Sequence, residues 1–188
     1  GSGKTADLHY LGGNVWRALL PGYWFGNLTY RASITDRAGN TGQSAVKNFT
    51  VTSVGLSNYG AGVNGCTGAH VISANSAPAL PNPDFAVNVT NCPPSTTQLM
   101  LVSNLQGAGT DDFGLGIGMW TSLFTTEVYA LDLNVSAGGL GTCSVPLPAN
   151  VSLNGANYFW MALVANTACS LPPFNLSSSG GLQTTLFQ

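Results

Sequence analysis

Apolar and polar residues alternate along much of this chain with the two-residue period of a β-strand. In residues 28–35, the even positions are apolar (Leu, Tyr, Ala, Ile) and the odd positions are polar (Thr, Arg, Ser, Thr). The following segment, 36–40, reads Asp-Arg-Ala-Gly-Asn and predicts a turn, in which Gly39 or Asn40 can adopt a positive φ. A returning strand over 43–52 would complete a hairpin.

The same alternation predicts strands throughout the rest of the chain. These segments are 70–74, 85–89, 98–104, 127–135, 158–165 and 182–187. The segment 158–165 is apolar on both faces, which is typical of a central strand or of a strand covered by a loop. No segment of 12 residues has a convincing helical period. Many short strands between Gly, Pro and Asn turns predict an all-β sandwich.

The distribution of charged and apolar residues divides the chain in two and argues against two classes of partner, nucleic acids and membranes. Only 6% of the residues are charged, against roughly 25% in an ordinary soluble domain. All five basic residues precede position 48, and we therefore predict domains over 1–53 and 58–188 with a linker at 54–57. The net charge of −2 argues against nucleic-acid binding. No run approaches 18 apolar residues, so we expect no membrane insertion, and we expect any signal peptide to have been removed.

The four cysteines all lie in the second part and predict disulfides. They are Cys66, Cys92, Cys143 and Cys169. Without a C-x-x-C motif or a Cys/His cluster, the pattern does not favour a metal site. The uncharged, Ser/Thr/Asn/Gly-rich surroundings suit an oxidising compartment, so we expect a secreted, extracellular protein at a cell surface. Four cysteines allow three pairings; we favour 66–92 and 143–169, because each closes a short local loop.

Two segments resemble known kinds of domain. Residues 14–52, with VWRALLPG and then LTYRASITDRAGNTG, resemble the later strands of a bacterial Ig-like or fibronectin type III-like domain. Residues 58–188 are similar to a C-terminal module of large secreted bacterial proteins, on YGAGVNGCTG, Cys92 and CSLPPFNLS. The resemblance implies secretion and a β-sandwich. For the whole chain we predict a partial Ig-like sandwich followed by a disulfide-bonded, jelly-roll-like antiparallel β-sandwich. It carries over no catalytic residue.

Acidic residues concentrate at Asp111 and Asp112, followed by Glu127 and Asp132. Paired carboxylates are the residues of glycoside hydrolysis, and adjacent Asp oxygens can bind Ca²⁺. We favour a polar turn over calcium at Asp111 and Asp112, and calcium over catalysis. His9 and His70 have no serine elbow nearby, so the sequence predicts no enzyme and no cofactor.

Glycine occupies alternate positions in residues 113–120, FGLGIGMW. A strand of this kind has one bare face on which a backbone or a flat ring can lie closely. We favour tight packing there over a sugar-stacking surface. The tryptophans that could stack on a carbohydrate are Trp24, Trp120 and Trp160.

Six N-x-[ST] sequons provide possible glycosylation sites. They are Asn27, Asn48, Asn88, Asn134, Asn150 and Asn175. The middle residue is always Leu, Phe or Val, as expected for a strand whose polar residues face outward.

These observations favour a non-catalytic, extracellular structural or adhesion module. The alternative is a carbohydrate-binding accessory domain of a secreted hydrolase, with a polysaccharide as its partner. Residues 1–53 hold too few strands for a sandwich of about seven, yet they are rich in large apolar residues. We therefore expect a fragment of a larger domain, completed by an upstream strand donor, or completion by other copies of the chain in a filament grown by strand addition, with a self-sufficient small domain as the third alternative.

Overall fold

A computed structural model describes residues 8–12, 15–18, 26–51, 54–166 and 173–188 of the chain. These residues form two compact units, Gly1–Thr52 and Ser53–Gln188. The all-β prediction is confirmed, with one short 3₁₀ helix at Val151–Leu153. Assignment to an Ig-like or jelly-roll class stays a prediction.

The described residues of the first unit form three two-stranded antiparallel sheets. Its strands are β1 (His9–Gly12), β2 (Val15–Arg17), β3 (Gly26–Tyr30), β4 (Ser33–Thr35), β5 (Thr41–Gln43) and β6 (Lys47–Val51). β1 pairs with β2, β3 with β6, and β4 with β5. Ser44 continues the pairing across the interruption by donating from its N–H to the Ala32 carbonyl at 2.9 Å. The hairpin predicted from 28–52 is therefore confirmed, with a register shift near its middle.

The turn of this hairpin is built around Asp36. Its Oδ1 accepts hydrogen bonds from the N–H groups of Ala38 and Asn40, at 2.8 and 2.9 Å. The Asn40 side chain donates to Oδ2 at 2.9 Å, and this bond contributes most to lowering the pKa of the Asp36 carboxyl. Gly39 has a φ of +87°, which glycine adopts without steric cost.

The second unit is one nearly closed sheet with a smaller hairpin beside it. Its strands are β7 (Leu56–Tyr59), β8 (Ile72–Ala74), β9 (Ala86–Val89), β10 (Thr97–Ser103), β11 (Gln106–Thr110), β12 (Met119–Thr121), β13 (Val128–Val135), β14 (Gly141–Ser144), β15 (Asn157–Ala165), β16 (Leu176–Ser178) and β17 (Gly181–Thr185). The large sheet has the order β7-β17-β15-β10-β13-β14-β9-β8, and β16 pairs with β15. Its strand pairs are all antiparallel.

A side chain bridges the two end strands of this sheet. Asn58 on β7 donates from Nδ2 to the carbonyl of Ile72 on β8, at 2.8 Å. The sheet therefore curves round on itself, and its inner face encloses the main core. The core residues include Phe85, Val87, Val89, Met100, Leu133, Trp160, Val164 and Leu182.

A second, smaller core lies on the outer face of β10 and β15. Leu101, Met119 and Met161 are buried there, with Trp120 and Leu123 packed against them. The hairpin of β11 and β12 covers this face. β15 is therefore covered on both faces, by the main core on one side and by the smaller core on the other. This explains why 158–165 is apolar at nearly every position.

The predicted disulfide pairing is wrong. Cys92 and Cys143 are free thiols buried in the main core. Cys66 is engaged in a disulfide, but no sulfur–sulfur pair joins two cysteines among the described residues, and Cys169 lies outside them. The local loop-closure argument failed because Cys92 and Cys143 point into a packed interior.

Strand geometry also keeps the two free thiols from pairing with each other. Cys143 lies opposite Val87 on β9, whereas the Cys92 amide donates to the carbonyl of Gly139, four residues before Cys143. Burial raises the pKa of both thiols, which lowers their reactivity.

Two further expectations need correction. Leu56 and Ser57, expected in a linker, are the first residues of β7. The alternating-glycine segment is mostly loop, and only Met119–Thr121 forms a strand. Glycine is required there for a different reason: a Cβ on Gly118 would overlap the backbone of Gly109 on the facing strand.

The thiol assignment makes a prediction for alkylation of the unreduced chain. In denaturant, iodoacetamide is expected to label Cys92 and Cys143 and to leave Cys66 unlabelled, because only the first two are free thiols. Without denaturant, labelling of both should be much slower, since both side chains are buried. Peptide mapping by mass spectrometry measures this, with a fully reduced sample as control; a peptide that links Cys66 to Cys92 would contradict the assignment.

Candidate functional site

The acidic pair after β11 forms a loop rather than an open ligand site. Both carboxylate oxygens of Asp111 accept backbone hydrogen bonds, from Leu115 and Gly116 at 2.8 Å each. Asp112 accepts from the hydroxyl of Thr110 at 2.6 Å. The oxygens of Asp111 therefore serve the turn that the sequence favoured. Within the described ranges, no three His, Cys, Asp or Glu side chains are grouped to hold a metal ion.

Of the three candidate carbohydrate-stacking tryptophans, Trp160 and Trp120 have their rings packed against other residues of the protein. Trp160 is only 4% exposed, and its Nε1 donates to Thr184 Oγ1 at 3.0 Å inside the core. It cannot meet a carbohydrate, so this candidate is wrong. Trp24 lies outside the described residues.

Trp120 is held in a slot between two glycines. A Cβ on Gly60 or on Gly109 would overlap its indole ring. Its Nε1 donates to the Ala61 carbonyl at 2.9 Å, and Tyr59 meets it edge-on with ring centroids 6.0 Å apart. The glycines that accommodate Trp120 therefore lie outside the alternating segment 113–120. Within that segment, a Cβ on Gly114 would meet no atom within 4 Å, so tight packing of the alternating glycines beneath Trp160 or Phe124 stays a prediction.

The sequons differ in how far their residues are exposed. Asn27, Asn48, Asn134 and Asn150 are exposed together with the hydroxyl residue two positions later, Asn88 is half-buried, and Asn175 is exposed before a buried Ser177. Asn27 and Asn48 lie on the same polar face of the β3–β6 hairpin, because Asn27 is opposite Thr50 and Thr29 is opposite Asn48.

A cluster of buried polar side chains is the group of described residues whose arrangement most resembles a reactive site. It comprises His70, Asn166 and Ser177, which are 5%, 2% and 0% exposed. Ser177 Oγ lies 2.7 Å from His70 Nε2 and accepts a hydrogen bond of 2.7 Å from Asn166 Nδ2. Three separate segments supply these residues: the chain before β8, the end of β15, and β16. We call this group the His70 cluster.

The surroundings of the histidine fix its tautomer. Nδ1 lies 3.3 Å from the carbonyl oxygen of Thr90, which can only accept, so Nδ1 carries the proton. In the neutral ring, Nε2 is then an acceptor, and the Ser177 hydroxyl donates to it. This is the relation between a nucleophile and its base in acyl-transfer sites. Burial, the largest effect, lowers the pKa of His70, while the carbonyls of Thr90 and Asn91 oppose the shift.

The asparagine of the cluster is held at both ends of its amide. Its Oδ1 accepts the N–H of Cys66 at 3.1 Å, and its Nδ2 also donates to the Val164 carbonyl at 3.1 Å. Gly65 closes the cluster from above: a Cβ there would lie 2.5 Å from His70 Nε2 and 2.9 Å from Asn166 Oδ1. No external molecule reaches the three side chains in this conformation.

Sequence reasoning missed the His70 cluster. It rejected a nucleophilic site because His70 has no motif around it, and 107 positions separate His70 from Ser177. The one local signal was the glycine-rich run before Cys66, since a glycine beside a buried imidazole is a sign of close approach. Comparison with protein-family models and with curated proteins found no match for this chain. Among the described residues, no helix has the length and apolar character needed to cross a membrane.

The buried histidine makes the stability of the protein depend on pH. Because its folded-state pKa lies below the ordinary value of 6.5, the unfolded chain takes up a proton at a pH where the folded chain does not. The free energy of unfolding is therefore expected to be level above pH 6.5 and to fall as the pH decreases below it. Denaturant midpoints at about pH 7.5 and about pH 5.5 measure this, in a range above the carboxylate pKa values of about 4.

The two histidines supply a matched control. His70→Asn is expected to lower stability and to remove this pH dependence, whereas His9→Asn, at an exposed position on β1, should keep it. An equal slope in the wild type and in His70→Asn would contradict the assignment.

Proposed function

We propose that this chain is a non-catalytic extracellular structural module that associates with further copies of itself through its first unit. The observation that carries the proposal is that none of the described side chains of the first unit is buried. The second unit, in contrast, encloses a complete core. In a module of this kind, the second unit is stabilised by its own core, and the first unit gains stability when another copy covers its exposed side chains.

Several of the exposed side chains of the first unit are large and apolar. Ile34 is 64% exposed, Val46 60%, Tyr30 54% and Leu8 42%. Contiguous apolar surface of this kind marks an interaction site in a folded protein. Burying one such side chain contributes about 1.5–3 kcal/mol, so a partner that covers several of them gains a substantial free energy.

The strands of this unit have unpaired edges. Each of its sheets, as far as the structure describes them, contains only two strands, and a two-stranded hairpin is at best marginally stable in water. An edge strand offers a row of N–H and C=O groups to any extended segment. Strand addition therefore satisfies the backbone and the apolar side chains together.

An open groove in this unit is lined by both apolar and hydrogen-bonding side chains. It encloses about 830 Å³ between Leu8 and the β4–β5 region, with Tyr30, Ala32 and Ile34 among its apolar walls. Ser, Thr and Gln side chains from both strands line the rest. The mixture of apolar walls and hydrogen-bonding groups suits an extended peptide.

Charge favours a head-to-tail contact between copies. Residues 1–52 carry five basic and two acidic residues, a net charge of +3, whereas residues 53–188 carry five acidic and no basic residues, a net charge of −5. Opposite charges steer the first unit of one copy toward the second unit of the next. A head-to-tail contact that does not close generates a filament. The disulfide at Cys66 supports an oxidising, extracellular setting.

Ile34→Asp tests the association directly. A carboxylate in the apolar groove is expected to raise the concentration at which copies associate by about tenfold or more, corresponding to at least about 1.4 kcal/mol. Light scattering against concentration measures the change. Thr29→Asp adds the same charge on the opposite, polar face of the hairpin and serves as the matched control, with an expected change of less than about threefold.

Hydrogen exchange decides between association and a self-sufficient first unit. The amides of 28–34 should gain protection as concentration rises and copies pair. A monodisperse monomer in which these amides are strongly protected at low concentration would overturn the proposal.

A second candidate function, carbohydrate binding, has one observation in its favour. Phe113 and Phe124 are 47% and 73% exposed, and their rings are nearly parallel, at 14°, with centroids 5.9 Å apart. Exposed aromatic rings supply the apolar faces on which sugar rings stack. This pair, rather than the tryptophans, is the surface that the second unit offers to a polysaccharide.

Retention on an insoluble polysaccharide tests this candidate. If it holds, wild-type protein is retained and Phe124→Ala loses most of the retention, because it removes the more exposed ring. Val151→Ala removes another exposed apolar side chain, 69% exposed on the 3₁₀ helix, and should be retained like the wild type. Equal retention of both variants would exclude a stacking role for the pair.

A further inference from the structure

The His70 cluster contains a nucleophile with its base, and both are shut away from solvent. The Ser177 hydroxyl donates to His70 Nε2 at 2.7 Å, and the Thr90 carbonyl holds the proton on Nδ1. A serine so placed is prepared to give up its proton as it attacks a carbonyl carbon. Ser177 is 0% exposed, so the electrophile must come from the protein itself.

The only carboxamide in the cluster is also in contact with the nucleophile. Asn166 Nδ2, which is bonded to the amide carbon, lies 2.7 Å from Ser177 Oγ. The amide carbon is one C–N bond, about 1.33 Å, from Nδ2, so it lies at most about 4 Å from Ser177 Oγ. Asn166 directly follows β15, and Ser177 is the middle residue of β16, where it lies opposite Val164.

The fourth part of the arrangement is a donor to the amide oxygen. The Cys66 N–H donates to Asn166 Oδ1 at 3.1 Å. A backbone donor in a dry site stabilises the negative charge that an amide oxygen acquires when its carbon is attacked. Nucleophile, base, electrophile and oxyanion donor therefore meet at one buried point.

We infer that Ser177 and Asn166 form an intramolecular ester, with His70 as the base. Ser177 Oγ bonds to the amide carbon of Asn166 while its proton passes to His70 Nε2. The bond from that carbon to Nδ2 then breaks, and His70 returns the proton to the departing nitrogen, which leaves as ammonia. The atoms balance without an external reactant, and the reaction takes place once in each molecule.

Burial accounts for both the rate and the persistence of the link. The groups are held together, so the reaction is intramolecular and gains the corresponding advantage in effective concentration. Water, which would hydrolyse the ester, is excluded by Gly65 and by the packing around all three side chains. The link would tie β16 to the end of β15 and would form whether or not the first unit associates.

Mass spectrometry of the intact full-length chain tests the inference. After reduction of the disulfide at Cys66, wild-type protein is expected to be lighter than its sequence by one ammonia. Chymotryptic cleavage after Phe174, which lies between the two residues, should leave the peptides that contain Asn166 and Ser177 joined. Hydroxylamine should then separate them. Wild-type protein of full mass after prolonged incubation in the folded state would overturn the proposal.

The variants separate the ester from succinimide formation at Asn166, which also releases ammonia. Ser177→Ala and Asn166→Ala are expected to have the full mass of their sequences, and His70→Asn is expected to slow the loss of ammonia at least tenfold. Loss of ammonia in Ser177→Ala would contradict the ester. Circular dichroism establishes that each variant is folded, and the wild-type mass decides the matter if one is not.

Discussion

The second unit depends on apolar side chains that a single curved sheet encloses on its inner face. Phe85 and Trp160 meet there with ring centroids 6.4 Å apart, and Met100, Leu133 and Leu182 fill the space around them without measurable exposure beyond 1%. Each buried methylene contributes about 0.8 kcal/mol, so the interior supplies most of the free energy that brings the end strands together. The Asn58 bridge, the outer hairpin and the His70 cluster are all positioned by this packing.

Much of this architecture could be predicted from periodicity, because strands that separate an interior from solvent must alternate. The hairpin around Asp36 and the strands β10, β13, β15 and β17 were found this way. Short or glycine-rich strands gave no such signal. β11 has the sequence QGAGT and β14 has GTCS. β11 pairs with the nearby β12, whereas β14 pairs both with the nearby β13 and with β9, much earlier in the chain.

Contacts between distant segments were the part that sequence reasoning could not supply. The predicted cysteine pairing rested on the entropy of closing short loops. In the structure, Cys92 and Cys143 are instead buried in the apolar core as free thiols. The His70 cluster brings His70 to Ser177 across 107 positions, and no catalytic motif surrounds either residue. The aromatic residues show the same limit. Their composition identifies them as large and apolar, and only the fold shows that Trp160 is buried while Phe124 is exposed.

The two buried thiols also impose an order of events on the folding chain. A cysteine in an oxidising compartment stays reduced only while oxidants cannot reach it, and Cys92 and Cys143 are protected by the finished core. Before that core forms, four thiols can combine in three complete pairings. In the oxidising compartment that we propose for this chain, the sheet must therefore enclose Cys92 and Cys143 before an oxidant reaches them.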